Sequence, residues 1–158
     1  LLMNQKVNEL KKHKDFYIVK TSTNNIIESK CIIIAAGNGA FGPNKPPLKN
    51  IDSFENKTIF YHIRDKSKFR KKTVAIAGGG DSAVDWAIEL SKTSKKIFFI
   101  HRRNKLRAIP QNVEVLYDLE NEGKIEMMIP YQLDSIEGKN GIIDHLIIKN
   151  MDEEKKKL

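Results

Sequence analysis

The chain has 158 residues, 40% of them hydrophobic and 30% charged, a balance that excludes global disorder and suits one domain with a hydrophobic core, or one plus part of a second. No apolar run approaches the roughly 20 residues that cross a bilayer, and Leu1-Leu2-Met3 is too short for a signal-peptide core, so a cytoplasmic location without membrane association is expected. The net charge of +8 comes from lysines scattered between Lys6 and Lys157 with no interleaved aromatic residues, which argues against a nucleic-acid partner, and the single cysteine, Cys31, excludes an intrachain disulfide, a Cys-x-x-Cys pair and a zinc site.

In chain order, the first residues read as a short helix or an extended piece. Two strand candidates follow, Asp15 to Ser22 and Ile26 to Ala35, joined by a Thr-Asn-Asn turn. Cys31 falls in the second apolar run and is expected to be a buried, inert thiol. The glycine-rich stretch Ala36-Gly37-Asn38-Gly39-Ala40-Phe41-Gly42 then runs into Pro43, Pro46 and Pro47, which mark a domain boundary near residue 47. A short strand is expected at Thr58 to His62, followed by a charged connection.

The next block is the most informative. Thr73 to Ala77 reads as a buried strand, Gly78-Gly79-Gly80 as a tight turn, and Ser82 to Ser91 as a helix with Ala83, Val84, Ala87, Ile88 and Leu90 on one face. Ile97 to Ile100 is a second buried strand. Strand, glycine turn, helix and strand make a βαβ unit, whose strands are parallel and whose crossover is right-handed. Beyond it lie a helix opened by Pro110 and running to about Glu122, a strand at Ile125 to Ile129 with Met127-Met128 in its core, and strands around Gln132 to Ile136 and Ile142 to Ile148. Trp86 is expected to pack its helix onto neighbouring structure. His13, His62 and His145 lack metal-ligand spacing, and no catalytic constellation of Ser, His and Asp or of paired carboxylates stands out.

Within the βαβ unit the motif is Gly78-x-Gly80-x-x-Ala83. Gly78 suits a sharp turn, Gly80 lets the backbone approach a pyrophosphate, and Ala83 keeps the helix close to the sheet. Asp81 and Ser82 open the helix, where their oxygens are expected to cap free N–H groups and the dipole favours anions. Dinucleotide sites that prefer NAD place a carboxylate at the end of the second strand. Here that position reads His101-Arg102-Arg103-Asn104-Lys105-Leu106-Arg107, and three of the chain's five arginines fall within it. Planar guanidinium forks suit a phosphate, so NADP(H) is the expected ligand.

The run Gly78-Gly79-Gly80-Asp81-Ser82-Ala83-Val84-Asp85-Trp86-Ala87, with His101-Arg102-Arg103 and Arg107-Ala108 after it, resembles the NADPH-binding domain of thioredoxin-reductase-like flavoproteins. Ala36-Gly37-Asn38-Gly39-Ala40-Phe41 is similar to the segment that returns over FAD in the ferredoxin (or flavodoxin) NADP reductase branch. The resemblance covers nearly the whole chain. It implies that Gly37 and Phe41 lie at the flavin and that Val7 contacts its adenine end through the backbone. It also implies that Gly78, Gly79, Gly80, Asp81, Ser82, Ala83, His101, Arg102, Arg103 and Arg107 hold NADP(H), with no catalytic side chain and no metal.

In thioredoxin reductases a Cys-x-x-Cys pair precedes the glycine motif. Residues 58–70 here read TIFYHIRDKSKFR, without cysteine, so the dithiol branch is excluded. The resemblance also places a first FAD motif ahead of Leu1 and a last one beyond Leu158, so the chain reads as the middle of a longer reductase. The expected fold is α/β: a Rossmann-like NADPH-binding domain, its parallel sheet extended by antiparallel strands, over residues 48–158, with the presence of its last strand left open. A fragment of a FAD-binding domain occupies residues 1–47. The full-length parent is expected to be a homodimeric enzyme that passes hydride from NADPH to FAD and electrons to ferredoxin or flavodoxin, and the fragment alone to be inactive. Alternatives are a related reductase with another acceptor and a non-catalytic NADPH-binding module.

Overall fold

A computed structural model of the chain describes residues 1–35 and 45–158. It forms two compact units, Leu1–Gly42 and Pro43–Leu158. Gly37 and Phe41 lie outside the described residues.

The first unit is a three-stranded antiparallel meander, β1 (Val7–Lys12), β2 (Tyr17–Thr21) and β3 (Ile26–Ser29), with β2 in the centre. The N-terminal piece is thus extended rather than helical. Thr21 is buried because its hydroxyl donates to Gln5 Oε1 at 2.8 Å, which ties the β2–β3 turn to the residues ahead of β1. Two expectations are corrected. The strand expected from Ile26 to Ala35 stops at Ser29, and the apolar residues beyond it are largely exposed, Ile33 at 88%. Apolar, β-branched sequence makes a strand only where a ladder partner exists, and no described strand pairs with this run. Cys31, two residues past β3, is correspondingly exposed, not buried.

The second unit centres on a parallel sheet of β4 (Thr73–Ala77), β5 (Lys96–Ile100) and β6 (Ile125–Met128), with β5 in the middle. Helices α1 (Asp81–Ser91) and α2 (Pro110–Asn121) cover one face. Ile97, Phe99 and Ile125 point into that layer and pack with Val84, Ala87, Leu90 and Leu116. The period-2 alternation of a strand sends Phe98, Ile100 and Met128 to the opposite face. There they meet Ile148, Leu133 and Leu146 from an antiparallel sheet of β7 (Gln132–Lys139), β8 (Ile142–Lys149) and β9 (Lys155–Lys157). The result is three layers, with β5 buried on both sides.

Two further expectations fail here. β4 alternates between exposed Thr73, Ala75 and Ala77 and half-buried Val74 and Ile76, because Val74 and Ile76 pack in the helix-side core while no β4 residue joins the cluster under the antiparallel sheet. Thr58 to His62 is not a strand. The N–H groups of Lys57, Thr58 and Ile59 all donate to Phe54 O at 3.0–3.2 Å, so the chain wraps around buried Phe54 and keeps only an isolated bridge between Glu55 and Ile59. β9, a run of three lysines, becomes a strand because Asn150 Oδ1 accepts the N–H groups of Asp152 and Glu154 at 3.0 and 2.9 Å and turns the chain back onto β8. No helix among the described residues is long and apolar enough to cross a membrane.

Candidate functional site

The site grows from the junction where β4 ends and α1 begins. Gly78 continues the ladder by donating to Ile100 O at 3.0 Å. The three glycines differ in what surrounds them. A Cβ on Gly78 would stand 2.7 Å from the Ala83 Cβ, so this position has to be small for α1 to lie close to the sheet. A Cβ on Gly79 would overlap the His101 imidazole. A Cβ on Gly80 would meet nothing within 4 Å. Gly78 and Gly79 are therefore explained by packing inside the protein, whereas the space beside Gly80 is open to a ligand.

Gly80 is also the N-cap of α1, in extended conformation and with no side-chain cap. The expectation that Asp81 or Ser82 caps this helix is corrected. Asp81 Oδ1 instead accepts the N–H of Ile109 at 2.8 Å, the residue that opens α2, and Ser82 is exposed. Asp85 Oδ1 accepts from Asn112 Nδ2 at 2.7 Å one turn further on, so two carboxylates of α1 clasp the first turn of α2. Consequently the N–H groups of Gly79, Gly80, Asp81 and Ser82 donate to no described residue. Four successive N–H groups without a described acceptor thus lie at the positive end of the α1 dipole, which favours an anion beside it.

The loop after β5 is built onto this turn. His101 is buried against Gly79, its N–H donates to Met128 O at 3.0 Å, its carbonyl accepts from Tyr131 N at 3.0 Å, and its Nε2 lies 3.2 Å from Lys105 O. The Arg107 N–H donates to Gly79 O at 2.7 Å. His101 thus occupies a supporting position beneath the glycines, and the backbone at Arg107 pins the loop from its other end. Buried Leu106 anchors the loop to the core beneath α1 and α2.

Arg102, Arg103 and Arg107 remain exposed on this fixed loop. Arg102 and Arg103 line an open cleft of about 480 Å³ together with Pro130, Gln132, Lys149 and Met151. Arg103 and Arg107 line a second of about 490 Å³ with Lys105, Leu106 and Ala108. The far wall of the first cleft, on β7 and the β8–β9 turn, was missed in the sequence because it lies some distance along the chain from the arginines and carries no motif. Of the remaining expected residues, Ala83 sits against Gly78, and Val7 is exposed at the start of β1, opposite Thr21. Among the described residues no three His, Cys, Asp or Glu side chains come together to hold a metal ion.

With this geometry in view, comparison with known proteins is informative. The family model for the pyridine nucleotide-disulphide oxidoreductases matches residues 1–156. A ferredoxin–NADP reductase of Rickettsia akari (strain Hartford) is 52% identical over 156 residues, 99% of this chain and 47% of the relative. One of Rickettsia canadensis (strain McKiel) is 53% identical over the same length, 46% of the relative. The chain thus spans about half the length of the curated relatives it matches. Among solved structures, the thioredoxin reductase of Lactococcus lactis superposes with a TM-score of 0.77 at 26% identity, covering 98% of this chain and 49% of that one. That of T. acidophilum gives 0.76 at 21% identity, covering 98% and 49%, a likeness of fold.

Proposed function

The chain belongs to the pyridine nucleotide-disulphide oxidoreductase family, and from that premise we propose that its second unit docks NADP(H) in a flavoprotein that passes hydride to FAD and electrons to ferredoxin or flavodoxin. The parent protein is on this reading a homodimeric ferredoxin–NADP(+) reductase of the thioredoxin-reductase-like type. The observation that carries the reading is the placement of Arg102 and Arg103 at the C-terminal end of β5, on a loop fixed to the glycine turn by Arg107 N and His101.

The division of labour follows from the residues. The N–H groups from Gly79 to Ser82 bind the pyrophosphate, and the open side of Gly80 lets it approach the backbone. Arg102 and Arg103 take the ribose 2′-phosphate as charge-assisted donors, and Arg107 supports them from the second cleft. His101 and Asp81 position: one supports Gly79, the other holds the start of α2 against α1. When bound, the nicotinamide supplies the hydride, and the residues of this chain bind and orient it without acting as acid or base. Residues 1–47 belong on this reading to the FAD-binding part, with Val7, Gly37 and Phe41 on the flavin cofactor. The cysteine-free stretch 58–70 argues against a dithiol acceptor, and the name of the Rickettsia relatives supports ferredoxin.

The test is calorimetry on the purified chain. Two charge-assisted bonds to the 2′-phosphate correspond to about 100-fold preference for NADPH over NADH, and the double substitution Arg102→Ala plus Arg103→Ala should remove most of it. Equal affinity for the two nucleotides, or a ratio that the double substitution leaves unchanged, overturns the reading.

A further inference from the structure

The wall of the cleft that faces away from the arginine loop carries its own cation. Lys149, the last residue of β8, lines the same cleft as Arg102 and Arg103, and its side chain is only 22% exposed. It is held by two carboxylates of different character. Asp134 of β7 is 17% exposed, lies 3.5 Å from Lys149 Nζ, and is itself paired with Lys155 of β9 at 2.7 Å. Glu153 stands in the β8–β9 turn, is 69% exposed, and accepts from Lys149 Nζ through both oxygens at 2.9 and 2.8 Å. Asp134 is therefore a built-in partner, fixed in the sheet. Glu153 is a solvent-facing one that can rotate away at small cost, as exposed ion pairs contribute little.

A bidentate carboxylate on a lysine beside two arginines is the arrangement a phosphate would adopt: oxygens, negative charge and two acceptors on one ammonium. We propose that Lys149 is a third cation for the nucleotide's 2′-phosphate, and that Glu153 occupies this ammonium in the free protein until the phosphate displaces it. The inference rests on the NADP(H) reading and adds to it a selectivity residue from the antiparallel sheet, outside the βαβ unit. Glu153 is the first cause of the upward shift in the Lys149 pKa, consistent with a strongly engaged ammonium at neutral pH. Asp134 keeps Lys149 aimed while Glu153 leaves. Lys149 then needs no reorientation, which limits the ordering cost of binding. Glu153 in turn acts as an internal competitor: it screens the cleft against free anions and lowers NADP(H) affinity without touching the nucleotide.

Titration of the chain with NADP⁺ and with NAD⁺ tests this. Lys149→Met should weaken NADP⁺ by about tenfold, the worth of one charge-assisted bond, and leave NAD⁺ unchanged, and Lys149→Arg should restore most of the loss. Glu153→Gln, at an exposed turn position that does not threaten folding, should tighten NADP⁺ severalfold and again leave NAD⁺ alone. That gain should vanish in the Lys149→Met background, because Glu153 acts through Lys149. The inference is overturned if Lys149→Met weakens both nucleotides alike or neither, if Glu153→Gln has no effect, or if its gain survives without Lys149. Should Lys149→Met unfold, the Glu153→Gln titration alone decides. Loss of NADP⁺ preference in the Arg102/Arg103 double variant, with none of these Lys149 or Glu153 effects, removes the inference and leaves the reading of the site intact. No preference in the unsubstituted chain removes both.

Discussion

Unit Leu1–Gly42 and unit Pro43–Leu158 each contain a three-stranded antiparallel meander, yet the two meanders bury their apolar residues to very different degrees. In β1–β2–β3 the one buried apolar residue is Val19, still 9% exposed, and Val7, Leu10 and Ile26 face solvent. In β7–β8–β9 the same topology packs Ile148 at 0% exposure onto Ile100 and Met128 of the parallel sheet. A lone small sheet has two faces and no second layer, so its apolar side chains gain little from folding. What separates the two meanders is the layer beneath, and that layer exists in the second unit because β5 is apolar on both of its faces.

The contrast predicts, as its largest effect, an all-or-none difference in cofactor retention. The purified chain should bind NADPH and carry no stoichiometric flavin. Among the described residues there is one glycine turn at a helix N-terminus, Gly78 to Ala83, and the arginine loop beside it suits the 2′-phosphate of NADP. The first unit has no helix among its described residues and so offers no dipole and no row of free N–H groups for the pyrophosphate of FAD. On the proposed reading Val7, Gly37 and Phe41 alone would meet the flavin, too few to offset the cost of ordering a ligand. Yellow preparations with one flavin per chain would erase the distinction between the units.

Next in size is a difference in what a single side chain is worth. Phe99 is fully buried on the face of β5 that packs with both helices, and Phe99→Ala should cost about 3–5 kcal/mol of the second unit's stability. Ile26→Ala at the start of β3, where the side chain is 64% exposed, should change stability by less than about 0.5 kcal/mol. Urea unfolding of the two variants measures both. Comparable shifts in midpoint would mean that the first unit buries its apolar surface after all.

The same contrast explains how far the sequence alone could be read. The β4–α1–β5 unit was legible because its boundaries are chemically marked: three glycines, a helix with small and aliphatic residues on one face, and a strand of uninterrupted apolar residues. The element types agree with the tertiary environment they meet, although β4 is half exposed and the start of α1 carries no side-chain cap. Ile32 to Ala35 carries the same local signal as Ile97 to Ile100 but pairs with no described strand, and in Thr58 to His62 the N–H groups of Thr58 and Ile59 are taken by Phe54 O. Local propensity cannot register a missing partner or a competing acceptor. In the site, the glycine turn and the arginine loop were readable as motifs. The clasp from Asp81 to Ile109 and the cleft wall at Gln132, Lys149 and Met151 were not, since each depends on residues brought together by the fold.

The smallest expected effect lies in acid stability, and it uses a feature that the two units share. Each carries a carboxylate bridged by two lysines: Glu9 by Lys11 at 2.7 Å and Lys20 at 3.2 Å in the first, and, besides Asp134, Glu89 by Lys66 and Lys92, both at 2.6 Å, in the second. Hydrogen bonds from Lys66, then Lys92, push Glu89 down to about 2 from its ordinary 4.5. Those from Lys11 and Lys20 lower Glu9 as well. A carboxylate whose folded pKa is depressed contributes stability above its unfolded pKa and loses it as pH falls through the folded one. For Glu89 that window runs from about pH 4.5 down to about 2. Because these pairs face solvent, the contribution is small and weakens further with salt. Glu89 joins α1 to the turn Lys66–Phe69 and so couples two elements of a packed unit, whereas Glu9 links neighbouring strands of a sheet that buries little. Glu89→Gln should therefore flatten the acid limb of the second unit's stability profile between pH 4.5 and 2 at low salt, and Glu9→Gln should leave that limb unchanged. Thermal melts of both variants at pH 7 and pH 3 measure this, and an equal response to the two substitutions would show that the acid limb of the second unit does not depend on the bridge at Glu89.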